Sequence, residues 1–225
     1  MTTLWQAEPE VNLTDRNSTV VRAFFESLFI AEWSRTADAF PGFADLIAAS
    51  GTRVSETDPD RDHPWSGTRR LLLRSVAVRG DEVRAVVCDD RAGMYLQSRA
   101  RTPNVVPDPS SYLYGPGGHR YMESAMTWYL VMRKAGDPAK WPRKVDEGSS
   151  RAPNWNAFEG WKLVDRGFDA PWQPGTACDK WAQQNYPGVT DPGSPAKRMY
   201  PNGFPDPTFQ PTLEQSPGWT RVGQP

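Results

Sequence analysis

Residues 71–89, LLLRSVAVRGDEVRAVVCD, decide the fold class of this 225-residue chain. Two apolar and β-branched runs, residues 71–78 and 82–89, flank the turn residues Arg79, Gly80 and Asp81. β-branched side chains favour strands, and a short glycine-containing connection favours antiparallel pairing of its flanks. The stretch therefore predicts a β-hairpin.

Three further stretches extend the predicted sheet. Residues 121–134 alternate apolar and polar positions, and their aromatic and β-branched content favours a strand over a helix. Residues 160–168 alternate again and predict a final strand, and residues 94–97 predict a short additional one. The proline- and glycine-rich residues 101–119 between them predict a long loop.

The chain before the hairpin has helical periodicity. Asp15, with Asn12 and Thr14, is a candidate N-cap. A second helix is expected with Pro41 as its first residue and Gly51 at its end. The first helix carries an apolar stripe with spacings of three and four residues: Val20, Val21, Phe24, Phe25, Leu28, Phe29 and Trp33. These patterns predict an α+β fold with N-terminal helices packed on a curved antiparallel sheet.

The composition excludes several classes of protein. The net charge is −1, from 26 basic and 27 acidic residues, so no overall field favours a nucleic-acid partner. No run approaches the roughly 18 apolar residues of a membrane span. The first residues lack the pattern of a signal peptide, so we expect a cytoplasmic protein or part of an assembled particle, with export left open. No metal site and no cofactor are predicted.

The chain after residue 170 differs in composition and predicts an extended arm. It holds eleven of the 22 prolines, which cannot donate backbone hydrogen bonds and so disfavour helices and central strands. We expect one α+β domain over residues 1–170 and an arm over residues 171–225 that is not an independent domain. Its rings are candidate partner-binding residues, with packing on its own domain as the equal alternative: Trp172, Trp181, Tyr186, Tyr200, Phe204, Phe209 and Trp219.

Cys88 and Cys178 are the only cysteines. In a reducing compartment two independent thiols are the favoured interpretation. The alternative is a disulfide, which would close a long loop and favour the folded state by about 4 kcal/mol.

The sequence resembles the nuclear-transport-factor-2-like (cystatin-like α+β) domains of actinobacterial proteins over roughly residues 18–169. The matching positions are Cys88, Asp89 and Asp90 at the end of one strand, and residues 160–164, GWKLV, in the last strand. The resemblance implies a cone-like sheet with long inter-strand loops, whose pocket serves acid–base chemistry in some members. Asp89 and Asp90 are then candidate catalytic residues; the alternative is that they end a strand at its solvated rim.

Two functions follow as hypotheses. The favoured one is a non-catalytic protein-interaction or assembly component, whose arm and loops contact neighbouring subunits in a setting such as a phage particle or a membrane-associated complex. It rests on the aromatic-rich arm and on the lack of a recognisable catalytic set. The alternative is a small-molecule-binding protein or enzyme that uses the cone pocket, with Asp89 or Asp90 as the acid or base.

Overall fold

Two helices cover one face of a mostly antiparallel β-sheet in the computed structural model. The predicted α+β class is confirmed. The structure describes residues 2–55, 65–90, 94–97, 105–107, 112–114, 120–123, 126–136, 148, 150–168, 170–172, 178, 181, 184, 197–199 and 212–219.

The helices are α1 (Arg16–Trp33) and α2 (Phe43–Ser50). The strands are β1 (Thr2–Ala7), β2 (Trp65–Arg79), β3 (Glu82–Asp90), β4 (Met94–Gln97), β5 (Val105–Pro107), β6 (Tyr112–Tyr114), β7 (Arg120–Glu123), β8 (Met126–Lys134), β9 (Trp161–Phe168) and β10 (Lys197–Met199).

The main sheet is built around the predicted hairpin. Its strands lie in the order β1-β2-β3-β8-β9, with β4 and β5 continuing beside the first residues of β2. β2 and β3 pair antiparallel with Arg79 opposite Glu82, so the hairpin is confirmed, as are the strands over residues 94–97 and 160–168. β1 pairs parallel to β2 and was not predicted, because six residues with two threonines carry little apolar alternation.

The start of α1 is as predicted, whereas the start of α2 is not. The Asp15 carboxylate accepts hydrogen bonds from the backbone N–H groups of Asn17 and Ser18 at 2.7 and 2.9 Å, which satisfies free donors of the first turn. Pro41 lies before α2 rather than in it. Gly42 intervenes with a left-handed φ of 84°, so helical geometry begins only at Phe43.

The predicted loop over residues 101–119 and the predicted strand over residues 121–134 both need correction. The first contains the short strands β5 and β6. The second is two strands in different sheets, because β7 pairs with β6 and β10 in a separate three-stranded sheet, whereas β8 pairs with β3 and β9. β5 and β6 have three residues each, which is too short for periodicity to indicate a strand.

The arm is not extended throughout. Cys178, Trp181 and Gln184 have helical backbone, within a stretch between Pro174 and Pro187 that contains no proline. β10, also in the arm, pairs antiparallel with β7. It lies at the edge of its small sheet, as expected for a proline-rich segment.

The core lies between α1 and the sheet. The α1 stripe is buried as predicted from Val20 to Phe29, and the side chain of Trp33 lies outside the described part. Phe25 is edge-on to Trp128 of β8 at a ring distance of 6.0 Å, and Phe24 packs against Phe43 of α2 at 5.7 Å. Trp5 of β1 and Trp219 of the arm belong to the same cluster. Within the described part of the chain, neither helix is both long and apolar enough to cross a bilayer.

Gly42→Ala should destabilise the protein more than Gly51→Ala. Both glycines have positive φ, and an alanine there costs about 1–2 kcal/mol in backbone strain. A Cβ at Gly42 would also lie 2.0 Å from the Asn156 Oδ1, which accepts a hydrogen bond from the Phe158 backbone, whereas Gly51 faces open space. Urea unfolding should give an additional loss of about 1–3 kcal/mol for Gly42→Ala. Equal losses would contradict this packing.

Candidate functional site

A buried carboxylate on α1 joins both ends of the described chain. Glu26 is 4% exposed, and its Oε1 accepts a hydrogen bond from the Trp5 indole N–H at 2.8 Å. Its Oε2 accepts one from the Trp219 indole at 2.8 Å and one from the Gln215 side-chain amide at 2.9 Å. Three donors from β1 and from the arm therefore converge on one side chain.

Arg22, one helical turn before Glu26, holds the same part of the arm. Its guanidinium donates to the backbone carbonyl of Pro217 at 2.6 Å and lies over the Trp219 ring at 4.7 Å from the centroid. Burial raises the pKa of Glu26 above its usual range, while the Arg22 charge and the three donors oppose the rise. Arg22 is 2% exposed, so both charges lie within the protein.

Residues 212–219, named here the anchor segment, lie in a backbone slot. On one side the Trp5 N–H donates to the Ser216 carbonyl at 2.7 Å and the Ser216 N–H to the Thr3 carbonyl at 3.3 Å. On the other side Trp219 and Ser150 exchange two backbone hydrogen bonds, at 2.7 and 3.1 Å. The anchor segment thus bridges the edge of β1 at Ser216 and bridges Gly148 and Ser150 at its end.

Trp219 lies in the main core cluster. Its exposed fraction is 0%, and its ring packs against Phe40 at 5.5 Å and Trp155 at 6.2 Å. In this structure the Trp219 ring thus packs on its own domain, which is the alternative that the sequence left open beside partner binding. The arm completes the core of its own domain.

The arm also covers the opposite face of the sheet. Side chains alternate along β2, so Leu72 points away from the helix-side core that holds Leu71 and Leu73. Leu72 forms a second cluster with Cys88, Cys178 and Trp181, and the Trp181 indole donates to the Gln6 amide oxygen at 2.5 Å. Trp181, at 9% exposure, thus also packs on its own domain.

Cys88 and Cys178 form a disulfide in this second cluster, in place of the two independent thiols that were favoured. Their Cα atoms are 5.4 Å apart, and both residues are buried, at 0% and 1% exposure. The bond joins the middle of the sheet to the arm 90 residues later. Sequence spacing could not decide this, because the pairing depends on where the arm crosses β3.

Among the other arm aromatics, Trp172 keeps a large exposed surface. It is 36% exposed and lies edge-on to Tyr129 at 5.2 Å, with the Arg84 guanidinium 5.5 Å from its ring centre. The other candidates, Tyr186, Tyr200, Phe204 and Phe209, lie outside the described residues.

Asp89 and Asp90 are buried at the end of β3, each 1% exposed, and do not lie at a solvated rim. Asp89 forms a two-pronged ion pair with Arg69, whose Nε donates to Oδ1 at 2.6 Å and whose Nη2 donates to Oδ2. The Trp128 indole also donates to Asp89 Oδ2, at 3.1 Å. A carboxylate held by two hydrogen bonds from one arginine has a fixed position, which suits a structural role better than proton transfer.

An open cleft of about 450 Å³ lies between α2 and the start of β9. Leu46, Phe158 and Trp161 contribute apolar surface, and Glu159 and Lys162 contribute charges. Neither Asp89 nor Asp90 lines this cleft. Among the described residues, no three His, Cys, Asp or Glu side chains come together as a metal site.

Sequence reasoning missed Arg22 and Glu26, although a signal existed. Both lie inside the apolar stripe of α1, four residues apart, where charged side chains need partners once buried. The pair predicts a buried polar contact. It does not indicate that the partners come from the two ends of the described chain.

Comparisons with protein families, with curated protein sequences and with solved structures find no match to this chain. The geometry of the described residues is therefore the basis of the proposed function.

Glu26→Gln should destabilise the protein and change how its stability depends on pH. A glutamine places an N–H₂ group against N–H donors, and one buried donor without an acceptor costs about 1–3 kcal/mol. Because the folded-state pKa of Glu26 is raised, the folded chain holds more protons than the unfolded chain between the two pKa values. The contribution of Glu26 to the stability of the wild type therefore falls as pH rises through that window.

Urea unfolding at several pH values measures this effect. The stability advantage of wild type over Glu26→Gln should shrink as pH rises above the unfolded-state pKa of Glu26. An advantage that grows with pH would show that Arg22 and the three donors outweigh burial. Glu10→Gln, at an exposed position, is the control and should change stability by no more than about 0.5 kcal/mol.

Replacing Cys88 and Cys178 together with alanine should lower the free energy of unfolding by about 2–5 kcal/mol, because the bond restricts the unfolded chain. Chain purified without reductant should be lighter than the reduced chain by the two hydrogens lost on oxidation. Cys88→Ala alone should lose about as much stability as the double variant, since either removes the bond. A fully reduced mass, or a much smaller loss, would contradict the disulfide.

Proposed function

We propose that this protein is a non-catalytic assembly component whose arm and insertions contact neighbouring subunits, as in a phage particle or a membrane-associated complex. The observation that carries the proposal is the way the arm is held. Trp181 packs on one face of the sheet and Trp219 in the core on the other. The aromatic-rich stretch between them is thereby tethered to its own domain at both ends.

The arm and the insertion between β4 and β8 are also joined by strand pairing. β10 of the arm pairs with β7 of the insertion, and β7 pairs with β6. The arm and the insertion thus share one small sheet rather than forming two separate loops. A shared surface of this kind supports a contact role, because insertions and arms are where binding residues concentrate on a rigid scaffold.

The buried charges support a structural interpretation as well. Asp89 is held by Arg69 and Trp128, and Glu26 receives three donors. Both carboxylates contribute to tertiary structure, which leaves neither positioned as the acid or base of a pocket reaction. The alternative of an enzyme that uses Asp89 is correspondingly less favoured by the geometry.

We further propose that the domain is nuclear-transport-factor-2-like, with a cone-like sheet. The order of elements supports this assignment, because α1 and α2 precede and cover the antiparallel strands β2, β3, β8 and β9. A long connection between β3 and β8 also supports it. The parallel strand β1 and the anchor segment are additions to that arrangement.

The test changes the tethered stretch without disturbing its anchors. A full chain with Tyr186, Tyr200, Phe204 and Phe209 all replaced by alanine should fold, since Trp181 and Trp219 are retained. The mass of the complex recovered from native cells should fall to that of the isolated chain. Thr208→Ala with Gln210→Ala is the matched control and should keep the complex. An unchanged complex in the quadruple variant would contradict the assembly role of the arm.

Cutting the arm off is a poorer test. A chain ending after Phe168 loses Trp219 from the core. It also loses Gln215 and Trp219 as two of the three donors to Glu26. Removal of a large buried aromatic side chain alone costs about 3–5 kcal/mol, so loss of association would not be separable from unfolding.

A further inference from the structure

We propose that the anchor segment exchanges between copies of this chain, so that the anchor segment of one copy fills the slot of a second copy. This inference rests on the proposed function and names the partner that the function requires. The slot is the space between the edge of β1 and the residues Gly148 and Ser150, together with the polar site formed by Arg22 and Glu26.

The slot recognises a short strand by its backbone. Ser216 bonds to Thr3 and Trp5 on one side, and Trp219 bonds twice to Ser150 on the other. Addition of an extended segment to a free sheet edge is a common mode of peptide recognition. These contacts do not depend on the covalent connection between the anchor segment and the preceding chain. An anchor segment from another copy can therefore make the same contacts.

Side chains make the recognition specific. Glu26 accepts from both the Gln215 amide and the Trp219 indole, and Arg22 donates to the Pro217 carbonyl beneath the Trp219 ring. The slot therefore fits a strand with an amide and an indole four residues apart. Residues 215–219, QSPGW, have this pattern, and every copy of the chain carries them.

The connecting chain is long enough for exchange. Residues 200–211 separate β10 from the anchor segment, and at about 3.3 Å per residue they span up to about 40 Å when extended. That reach is close to the diameter of a folded chain of this length. A neighbouring copy therefore lies within reach even when β10 keeps its pairing with β7.

Concentration decides between the two arrangements. The contacts are the same whether the anchor segment comes from the same chain or from another, so its own tether is the main advantage of the intrachain form. A short tether typically corresponds to an effective concentration of about millimolar. Dilute chains therefore keep their own anchor segment, and exchange competes at the local concentrations of an assembly.

A cysteine pair across the slot tests this directly. Leu4 and Ser216 lie opposite each other in the β1–anchor bridge. Full-length Leu4→Cys and full-length Ser216→Cys are mixed at about millimolar concentration and oxidised. Exchange predicts a covalent dimer on a non-reducing gel, with a yield that rises with concentration. The chain that carries both substitutions should cross-link within itself when dilute, which shows that the pair can bond.

The control for random collision mixes the Leu4→Cys chain with a Gln184→Cys chain. Gln184 is, like Ser216, an exposed position of the arm. This mixture should give no more covalent dimer than the background. Adding Trp219→Ala to the Ser216→Cys chain should also reduce the dimer, because the indole is the main buried contact. No dimer in the mixed sample, despite cross-linking within the double variant, would overturn exchange.

The double variant, locked within one chain, separates this inference from the proposed function. A locked chain that remains monomeric where the unmodified chain assembles supports exchange. A locked chain that still gives the native complex overturns exchange and leaves the assembly role intact. An unmodified chain that is monomeric in native cells is the separate result that removes the proposed function.

Discussion

The structure depends on one buried carboxylate. Glu26 stands in the apolar stripe of α1, where an isolated charge would be strongly unfavourable. It is tolerated because Trp5, Gln215 and Trp219 each donate a hydrogen bond to it and Arg22 lies one turn away. Those donors come from residues near the two ends of the chain, so burial of Glu26 in α1 requires β1 and the anchor segment to be in place. The helix, the sheet edge and the arm are thereby coupled.

A second buried carboxylate, Asp89, is also bonded by side chains from other elements of the fold. Asp89 on β3 is held by Arg69 of β2 and by the Trp128 indole of β8, and the Arg69 guanidinium stacks on Phe29 of α1. Buried ion pairs contribute little net stability, because desolvation offsets their attraction, but removal of one partner is strongly destabilising. In this protein both carboxylates connect elements distant in sequence. We therefore interpret them as determinants of which segments pack together.

Prediction from sequence succeeded where a local pattern was long enough. The hairpin of β2 and β3, the α1 stripe with its Asp15 cap, and β9 were all indicated by periodicity and turn chemistry. It failed for β5 and β6, which have three residues each, and for β1, which has little apolar alternation. It also failed for the break between β7 and β8 and for the start of α2, where Gly42 delays the helix. The candidate site was likewise predictable only as far as local sequence defines it. Asp89 was singled out by its position at a strand end, but its ion pair with Arg69 depends on the register of β2 against β3.

The sequence by itself determined the fold class and the composition of residues 171–225, which are rich in proline and in aromatic rings. Only the tertiary structure decided what the arm does with those rings. It buries Trp181 beside a Cys88–Cys178 disulfide on one face of the sheet and Trp219 in the core on the other. The reason is physical: helix and strand patterns are set by neighbours a few residues apart, whereas these contacts join residues about 90 to 200 positions apart, for which no local signal exists.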